Sequence, residues 1–214
     1  HEDLIKEFEN LTHRPDFVLE KTMKHKQSIN SLIYKIINES QKIINSYDCK
    51  VIIQGDAASS FAVAVSAFNE GKEVIHVEAG LRTHNLRSPF PEEGFRKMIS
   101  HISNIHFCPT IKSVENLKNE GITENVHLVG NTIVDSCAQI IDKGESSDYL
   151  NELISSNDDY YLCTLHRREN INNFQSMWEQ LNQISENKTI IYIKHPSVPN
   201  SEAVSYTHLT LPTT

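Results

Sequence analysis

Residues 51–80 read VIIQGDAASSFAVAVSAFNEGKEVIHVEAG, and this stretch decides the fold class. It begins with a short β-branched run, Val51 to Ile53, and continues through a helical stretch, Ser60 to Glu70, that Gly71 ends. A second apolar run follows at Val74 to Val77. A strand, a helix and a strand in this order indicate a parallel β-α-β unit. Neither strand alternates with polar residues, which predicts a sheet covered on both faces.

The same alternation continues on both sides of this unit. Apolar residues spaced three, four and seven apart predict an amphipathic helix over 28–47. After the unit we predict a helix over 92–103, a strand over 105–108, a helix that Thr110 caps and Gly121 ends, a strand over 126–129 and a helix over 132–142. The predicted fold class is therefore α/β, with a parallel sheet.

The chain is expected to contain two domains. The first covers 1–142, and a polar segment at 143–159 with a short apolar helix inside it predicts a linker. A second α/β domain starts at 160 and runs to 203, with a strand over 160–164, a helix over 174–184 and a strand over 189–193. Residue 1 is His, and the chain enters a charged helical stretch directly. We therefore expect the opening strand of the first domain to be missing and the second domain to be incomplete.

The last residues, 204–214, read VSYTHLTLPTT and have neither helix nor strand periodicity. They resemble one reading frame through a transposon-derived sequencing adapter. We therefore predict that this segment is an adapter-derived scar, and an ordinary Thr-rich tail is the alternative.

Composition excludes several classes of protein. The 214 residues carry a formal charge of −8, so no general basic footprint favours nucleic acid as a partner. The longest nearly apolar run, Phe61 to Phe68, is too short to cross a bilayer, and no signal peptide is visible, so no membrane partner is expected. The cysteines lie far apart without a C-x-x-C pair, which favours reduced thiols in a cytoplasmic protein.

Carboxylates follow the predicted strands at the edge where parallel sheets bind ligands. Asp56 follows the first strand, Glu78 follows the second, and Glu92 comes with Arg96 from the next loop and helix. Carboxylates that share one site push their pKa values apart, which suits general acid and base roles. Taken singly, Asp56 is also explained as an N-cap, Glu78 as an ion-pair partner in a loop, and Glu92 as a first-turn residue favoured by the helix dipole.

A second cluster, HRREN at 166–170, lies between a predicted strand and a predicted helix. Backbone N–H groups, the positive helix end and two guanidinium groups there suit a diphosphate, and a solvated charged loop is the alternative. His195 ends the next strand and is a weaker candidate at the same edge. His76 lies inside a strand and is explained as a satisfied core histidine. The sequence contains no zinc spacing, Walker A loop, G-x-S-x-G elbow or G-x-G-x-x-G fingerprint, so we expect no metal and no cofactor.

Five motifs in order resemble UDP-N-acetylglucosamine 2-epimerases. They are QGD at 54–56, HVEAGLRT at 76–83, SPFPEE at 88–93 with Arg96, GNT at 130–132 and HRREN at 166–170. The resemblance covers most of residues 45–200. It implies a glycosyltransferase-B type fold of two Rossmann-like domains with the active site between them. It also implies inversion at C2 of UDP-N-acetylglucosamine (UDP-GlcNAc) to UDP-N-acetylmannosamine (UDP-ManNAc), by elimination of UDP and its re-addition to a 2-acetamidoglucal intermediate.

The resemblance also implies roles for individual residues. Asp56, Glu78 and Glu92 match the acid and base carboxylates, and Arg96 and His166 match groups on the diphosphate side that would stabilise the leaving UDP. His166 therefore joins the three carboxylates as a catalytic candidate, and Arg96 is a substrate-binding candidate. The further substrate-binding candidates are Arg82, Arg167, Arg168, Asn170 and His195. A homodimer in the full-length protein is implied as well.

The sequence departs from the family pattern in three places. The Gly-Thr-Arg-Pro-Glu motif of the opening strand and the Gly-rich segment that holds uridine diphosphate are absent, and Ala57 and Ala58 stand where the family more often has Thr. We therefore expect the fragment itself to be inactive. Three alternatives stay open: a hydrolysing epimerase that releases N-acetylmannosamine (ManNAc) and UDP, a UDP-sugar glycosyltransferase, and a UDP-sugar binding module on the same fold.

Overall fold

The computed structural model describes residues 15–19, 22, 27–143, 148–155, 159–164, 174–186, 188–194 and 210–212. The chain divides into two compact units, His1–Gln139 and Ile140–Thr214. All four cysteines are free thiols. Within the described ranges, no helix combines the length and the apolar character that a membrane span requires.

The first unit alternates helices and strands along the chain. Its described elements are α1 Ile29–Asn45, β1 Val51–Gln54, α2 Ala58–Asn69, β2 Val74–Val77, α3 Glu92–Ile102, β3 Ile105–Cys108, α4 Ile111–Asn119, β4 Val126–Leu128 and α5 Thr132–Lys143, the last of which crosses the boundary between the units. The four strands form one parallel sheet in the order β1-β2-β3-β4. The carboxyl ends of β1 and β2 therefore lie side by side.

The ends of the helices follow from local chemistry. The Ser28 hydroxyl accepts a hydrogen bond from the Ser31 N–H at 3.2 Å, and Thr110 does the same for the Ser113 N–H at 3.1 Å. Both are N-caps, because each satisfies a donor that the first helical turn leaves free. Gly71 follows α2 at φ +66, and the Lys72 N–H returns to the Ala67 carbonyl. This αL exit confirms the predicted end of that helix.

Among the described residues, one face of the sheet is well covered, whereas its apolar strands predicted cover on both faces. Ile53, His76 and His106 are register neighbours on three adjacent strands, and all three are buried. The core cluster on this face is contributed by α1, α2 and α3 together with β1 and β2, and its buried members are Ile44, Ile53, Ala64, Ala67, Val74, Phe95 and Ile99. On the other face, Ile52 is 67% exposed and Phe107 is half-buried by the described residues. A strand order that never reverses explains this, because right-handed crossovers then place every connecting helix on the same face.

The second unit has its own parallel sheet. Its described elements are α6 Asp148–Ser155, β5 Tyr160–Thr164, α7 Phe174–Ser185, β6 Thr189–Lys194 and β7 Thr210–Pro212, with the sheet order β5-β6-β7. Trp178 of α7 packs edge-on against Tyr192 of β6, with 4.8 Å between the ring centroids. This contact attaches the helix to the sheet.

Strand β7 lies in the segment for which we predicted no regular structure, so that expectation is wrong for three residues. Thr210 to Pro212 pair with Tyr192 to Lys194 of β6. The sequence pattern does not predict so short a strand, because three residues contain no measurable period. Any extended backbone can pair with the free donors and acceptors of a neighbouring edge strand. The origin of the segment stays a prediction.

Gly80 fixes how closely α4 approaches the end of β2. Its φ is +81, and a Cβ there would overlap the carbonyl oxygen of Ser113 and lie 2.8 Å from the carbonyl carbon. Asn116 also donates a 2.9 Å hydrogen bond to the Gly80 carbonyl. The absence of a side chain at residue 80 thus allows helix and loop backbones to touch.

We predict that Gly80→Ala lowers the free energy of unfolding of the first unit by roughly 2–4 kcal/mol, from strain in φ and from the overlap with Ser113. Gly71→Ala is the matched control, because Gly71 also has positive φ but a Cβ there meets nothing within 4 Å. It should cost about 1 kcal/mol. Hydrogen exchange of β2 and β3 amides measures the effect in this unit alone. Tryptophan fluorescence would not, because the single Trp, Trp178, lies in the other unit. Equal losses in the two variants would contradict the overlap.

Candidate active site

Asp56 and Glu78 come together at the carboxyl ends of β1 and β2. Gly55 lies between β1 and Asp56 at φ +69, and its N–H donates to the Val77 carbonyl at 3.0 Å. A Cβ on Gly55 would lie 3.5 Å from Oε2 of Glu78, so the Glu78 carboxylate lies beside the backbone that leads into Asp56. Glu78 itself has φ +66, a conformation that a residue with a side chain rarely adopts.

Arg96 connects α3 to this edge of the sheet. Its Nη2 lies 2.5 Å from Oδ2 of Asp56, and both side chains are largely buried. Glu92 begins the same helix and stands four residues before Arg96, so the two lie on one helix face. The structure thus brings Asp56, Glu78 and the helix end that carries Glu92 to one sheet edge.

Glu93 is a buried carboxylate that sequence reasoning did not single out. Its side chain is fully buried, and Oε2 accepts hydrogen bonds from the Thr83 N–H at 3.1 Å and from Arg96 Nη1 at 3.3 Å. Oε1 accepts from the His84 N–H at 3.0 Å. Glu93 therefore fixes both the loop after β2 and the guanidinium that holds Asp56. The available signal was a carboxylate in a first helical turn that follows a Pro-rich loop.

Arg82, a predicted substrate-binding residue, lies inside the fold. Its side chain is fully buried, and it donates a forked pair of hydrogen bonds to Glu120, with the shortest contact at 2.7 Å. Two further bonds go to the Leu81 carbonyl and the Ser100 hydroxyl. The guanidinium is thus occupied by the protein itself, and a contact with substrate stays a prediction without support from this geometry.

Glu120 is the second carboxylate that sequence reasoning missed. Hydrogen bonds from Arg82 lower its pKa to about 2, although burial opposes them, and Lys97 assists with a 3.0 Å ion pair. Glu120 follows α4, so this ion pair holds the end of α4 against the loop after β2. No motif in the sequence marks a long-range pairing of this kind.

His76 and His106 are buried register neighbours in β2 and β3. Nε2 of His76 lies 2.9 Å from the Gly55 carbonyl, whereas Nδ1 of each ring has no hydrogen-bond partner among the described residues. Burial lowers the pKa of His76 to about 4, assisted by the nearby charges of His106 and Arg82. Burial also lowers the pKa of His106. The expectation of a satisfied core histidine therefore fits only one of the two ring nitrogens of His76.

The other predicted site residues lie outside the described residues. These are His166, Arg167, Arg168, Asn170 and His195. Their predicted role at a diphosphate stays a prediction. Among the residues that the structure describes, no three His, Cys, Asp or Glu side chains converge on a position that would hold a metal ion.

Comparison with known proteins assigns the family. The sequence model of the family described as UDP-N-acetylglucosamine 2-epimerase matches residues 1–210. The chain belongs to this family. The UDP-N-acetylglucosamine 2-epimerase of Campylobacter jejuni is 34% identical over 197 residues, which cover 86% of this chain and 50% of that protein. That of Salmonella borreze is 38% identical over 166 residues, which cover 73% of this chain and 43% of that protein.

Solved structures of epimerases share the fold. The structure of the Neisseria meningitidis UDP-GlcNAc 2-epimerase bound to UDP-GlcNAc matches with a TM-score of 0.83 and 28% identity, over 92% of this chain and 56% of that one. The Methanocaldococcus jannaschii enzyme in complex with UDP-GlcNAc and UDP matches with a TM-score of 0.75 and 33% identity, over 91% and 54%. The expected fold class, Rossmann-like parallel sheets of the glycosyltransferase-B type, is confirmed. The chain spans about half the length of the curated relatives that it matches.

We predict that Glu93→Gln lowers the free energy of unfolding of the first unit by roughly 2–4 kcal/mol, because the amide turns a donor toward backbone N–H groups and leaves Arg96 without its buried partner. Glu115→Gln on the exposed side of α4 is the control and should change it by less than about 0.5 kcal/mol. Hydrogen exchange of the β2 amides at increasing urea concentrations measures the free energy of unfolding of both variants. A loss in Glu93→Gln no larger than in the control would show that the buried contacts do not hold the loop.

Acid should destabilise the first unit through His76. The unfolded chain binds a proton near the ordinary pKa of 6.5, whereas the folded ring stays neutral down to about pH 4. The unfolded state therefore binds more protons between these values, and the free energy of unfolding falls as the pH falls. We expect a loss of about 2 kcal/mol between pH 7.5 and pH 5, measured by hydrogen exchange, and a clearly smaller loss in His76→Gln. The same loss in both proteins would assign the acid sensitivity to other groups.

Proposed function

We propose that the protein to which this chain belongs inverts C2 of UDP-GlcNAc to give UDP-ManNAc without releasing the free sugar. The observation that carries this proposal is the set of carboxylates at one sheet edge, with Asp56 held by Arg96 and Glu78 beside Gly55. Family membership and the complexes of related epimerases with UDP-GlcNAc support the choice of substrate.

The chemistry requires two proton-transfer groups and a site for the leaving nucleotide. The C2 proton is weakly acidic, so a base removes it as the bond from C1 to the UDP oxygen breaks, which leaves 2-acetamidoglucal and UDP. The nucleotide oxygen then adds back to C1, and an acid delivers a proton to the opposite face of C2. The sugar leaves with C2 inverted, and each proton and bond is accounted for.

We assign the proton-transfer roles to Asp56, Glu78 and Glu92. Arg96 orients Asp56, because its guanidinium bridges Asp56 and the buried Glu93. Such a bridge holds a carboxylate in one position without a ligand, which is the preorganisation that proton transfer in a transition state requires. His166, with Arg167, Arg168, Asn170 and His195, is proposed to bind the diphosphate. The implied homodimer and cytoplasmic location stay predictions.

The decisive experiment follows UDP-GlcNAc in D2O by proton NMR, with protein expressed from the complete gene. UDP-ManNAc that carries deuterium at C2 is the expected product. Free ManNAc together with UDP would assign the hydrolysing reaction instead. Binding without exchange at C2 would overturn the epimerase proposal in favour of a binding module, and transfer of the sugar to an added acceptor would assign a glycosyltransferase.

Removal of a proton-transfer group tests the proposed site. We predict that Asp56→Asn, Glu78→Gln and Glu92→Gln each lower the rate of C2 exchange about 10²–10⁴-fold, because each substitution keeps the shape and removes a carboxyl group that accepts or delivers a proton. Glu115→Gln, on an exposed helix face, should exchange at the wild-type rate. A wild-type rate in any of the three site variants would remove that residue from the proposed set.

A further inference from the structure

The peptide that joins Gly55 to Asp56 is oriented by a side chain from the neighbouring strand. The carbonyl of Gly55 and the N–H of Asp56 belong to one planar unit, so the direction of the carbonyl sets the direction in which the Asp56 backbone starts. That carbonyl accepts the 2.9 Å hydrogen bond from His76. A carbonyl only accepts, so Nε2 carries the hydrogen and Nδ1 is the nitrogen without one.

The rest of this turn is already fixed by other contacts. The Gln54 carbonyl accepts from the Ser60 hydroxyl at 2.6 Å, and the Gly55 N–H donates to the Val77 carbonyl. These contacts leave the ψ angle of Gly55 unconstrained, and glycine allows a wide range of ψ because it lacks a Cβ. Among the described residues, the bond from His76 is the one hydrogen bond to the peptide between Gly55 and Asp56, since Arg96 contacts the side chain of Asp56 instead.

Packing alone does not explain a histidine at residue 76. The residue is 1% exposed, and a buried ring nitrogen that has no partner among the described residues destabilises the fold. An aliphatic residue would fill the strand position without that cost, but it could not donate to the Gly55 carbonyl as His76 does. The ring is neutral at pH 7, since burial lowers its pKa to about 4, so it places no cation near Asp56 that would compete with Arg96.

We propose that His76 is a positioning residue that holds Asp56 in its working orientation by donating a hydrogen bond to the Gly55 carbonyl. This inference rests on the proposed function, because it takes Asp56 as a proton-transfer group. His76 contacts the peptide that precedes Asp56, and in this proposal it does not contact the substrate.

His106 provides a matched control within the same sheet. It is the register neighbour of His76, is 2% exposed and also has an unpartnered Nδ1. Its ring interacts with the backbone of Ser103, the residue that follows α3, and not with the turn that carries Asp56. Substitution of either histidine therefore changes a similar buried volume, and only one substitution removes the bond to Gly55.

The test compares four variants of the protein expressed from the complete gene. We expect His76→Leu to lower kcat for C2 exchange about 10–100-fold with KM changed less than about twofold. Without the His76 bond, Asp56 is held through its ion pair with Arg96 and no longer through its backbone, while the groups that bind substrate are unchanged. His106→Leu should stay within about threefold of wild type. His76→Gln should recover most of the loss, since its terminal N–H reaches the Gly55 carbonyl, and His76→Asn should not, since its amide is one carbon shorter.

The outcomes separate the two proposals. Equal kcat in His76→Leu and His106→Leu, or equal kcat in the Gln and Asn variants, would overturn the positioning role. If His76→Leu does not fold, the comparison of Gln with Asn decides. If wild type shows no exchange at C2, the proposed function fails. Hydrogen exchange of the Asp56 amide then tests the positioning role of His76 independently of activity. Faster exchange in His76→Asn than in His76→Gln supports this role, and equal exchange overturns it.

Discussion

The carboxylate of Glu93 is the constraint on which the candidate site depends. It is fully buried, and it is stable there because two backbone N–H groups and one guanidinium contact its oxygens. A buried charge without such partners lowers the free energy of unfolding by several kcal/mol. The fold therefore keeps the loop at 83–84 and Arg96 in contact with Glu93. Arg96 then reaches Asp56 at the edge of the sheet. The position of the partly exposed Asp56 carboxylate thus follows from the contacts that stabilise the buried Glu93 carboxylate.

The same principle recurs one helix further along the chain. Arg82 is buried without exposure because Glu120, Ser100 and the Leu81 carbonyl together satisfy its donors. The two ion-pair systems stand side by side through α3, where Arg96 and Ser100 are bonded through the Arg96 carbonyl. Three consecutive residues of the loop after β2 are therefore held, Arg82 by Glu120 and both Thr83 and His84 by Glu93. Substrate would meet an edge whose polar groups are already in place.

The sequence predicts strands and helices to within about two residues in most cases, because apolar periods and caps such as Ser28, Thr110 and Gly71 are local signals. The gathering of Asp56 and Glu78 at one edge also follows, since parallel strands align their carboxyl ends. The role of Glu93 does not follow, because two of its partners are backbone N–H groups nine and ten residues away in a loop. The pairing of Arg82 with Glu120 spans 38 residues and depends on packing. Cover on a single sheet face depends on strand order, which periodicity does not report.

The backbone conformation at residue 78 favours glycine, whereas the proposed chemistry requires the carboxylate of Glu78. Its φ of +66 suits glycine or asparagine, and a glutamate there carries a conformational cost of order 1 kcal/mol. Selection of a variant library for folding alone would enrich glycine at this position, whereas selection for the proposed proton-transfer role would keep the carboxylate. Under that proposal, thermal stability and catalytic rate trade against each other at residue 78, and a stabilised glycine variant is a slow one.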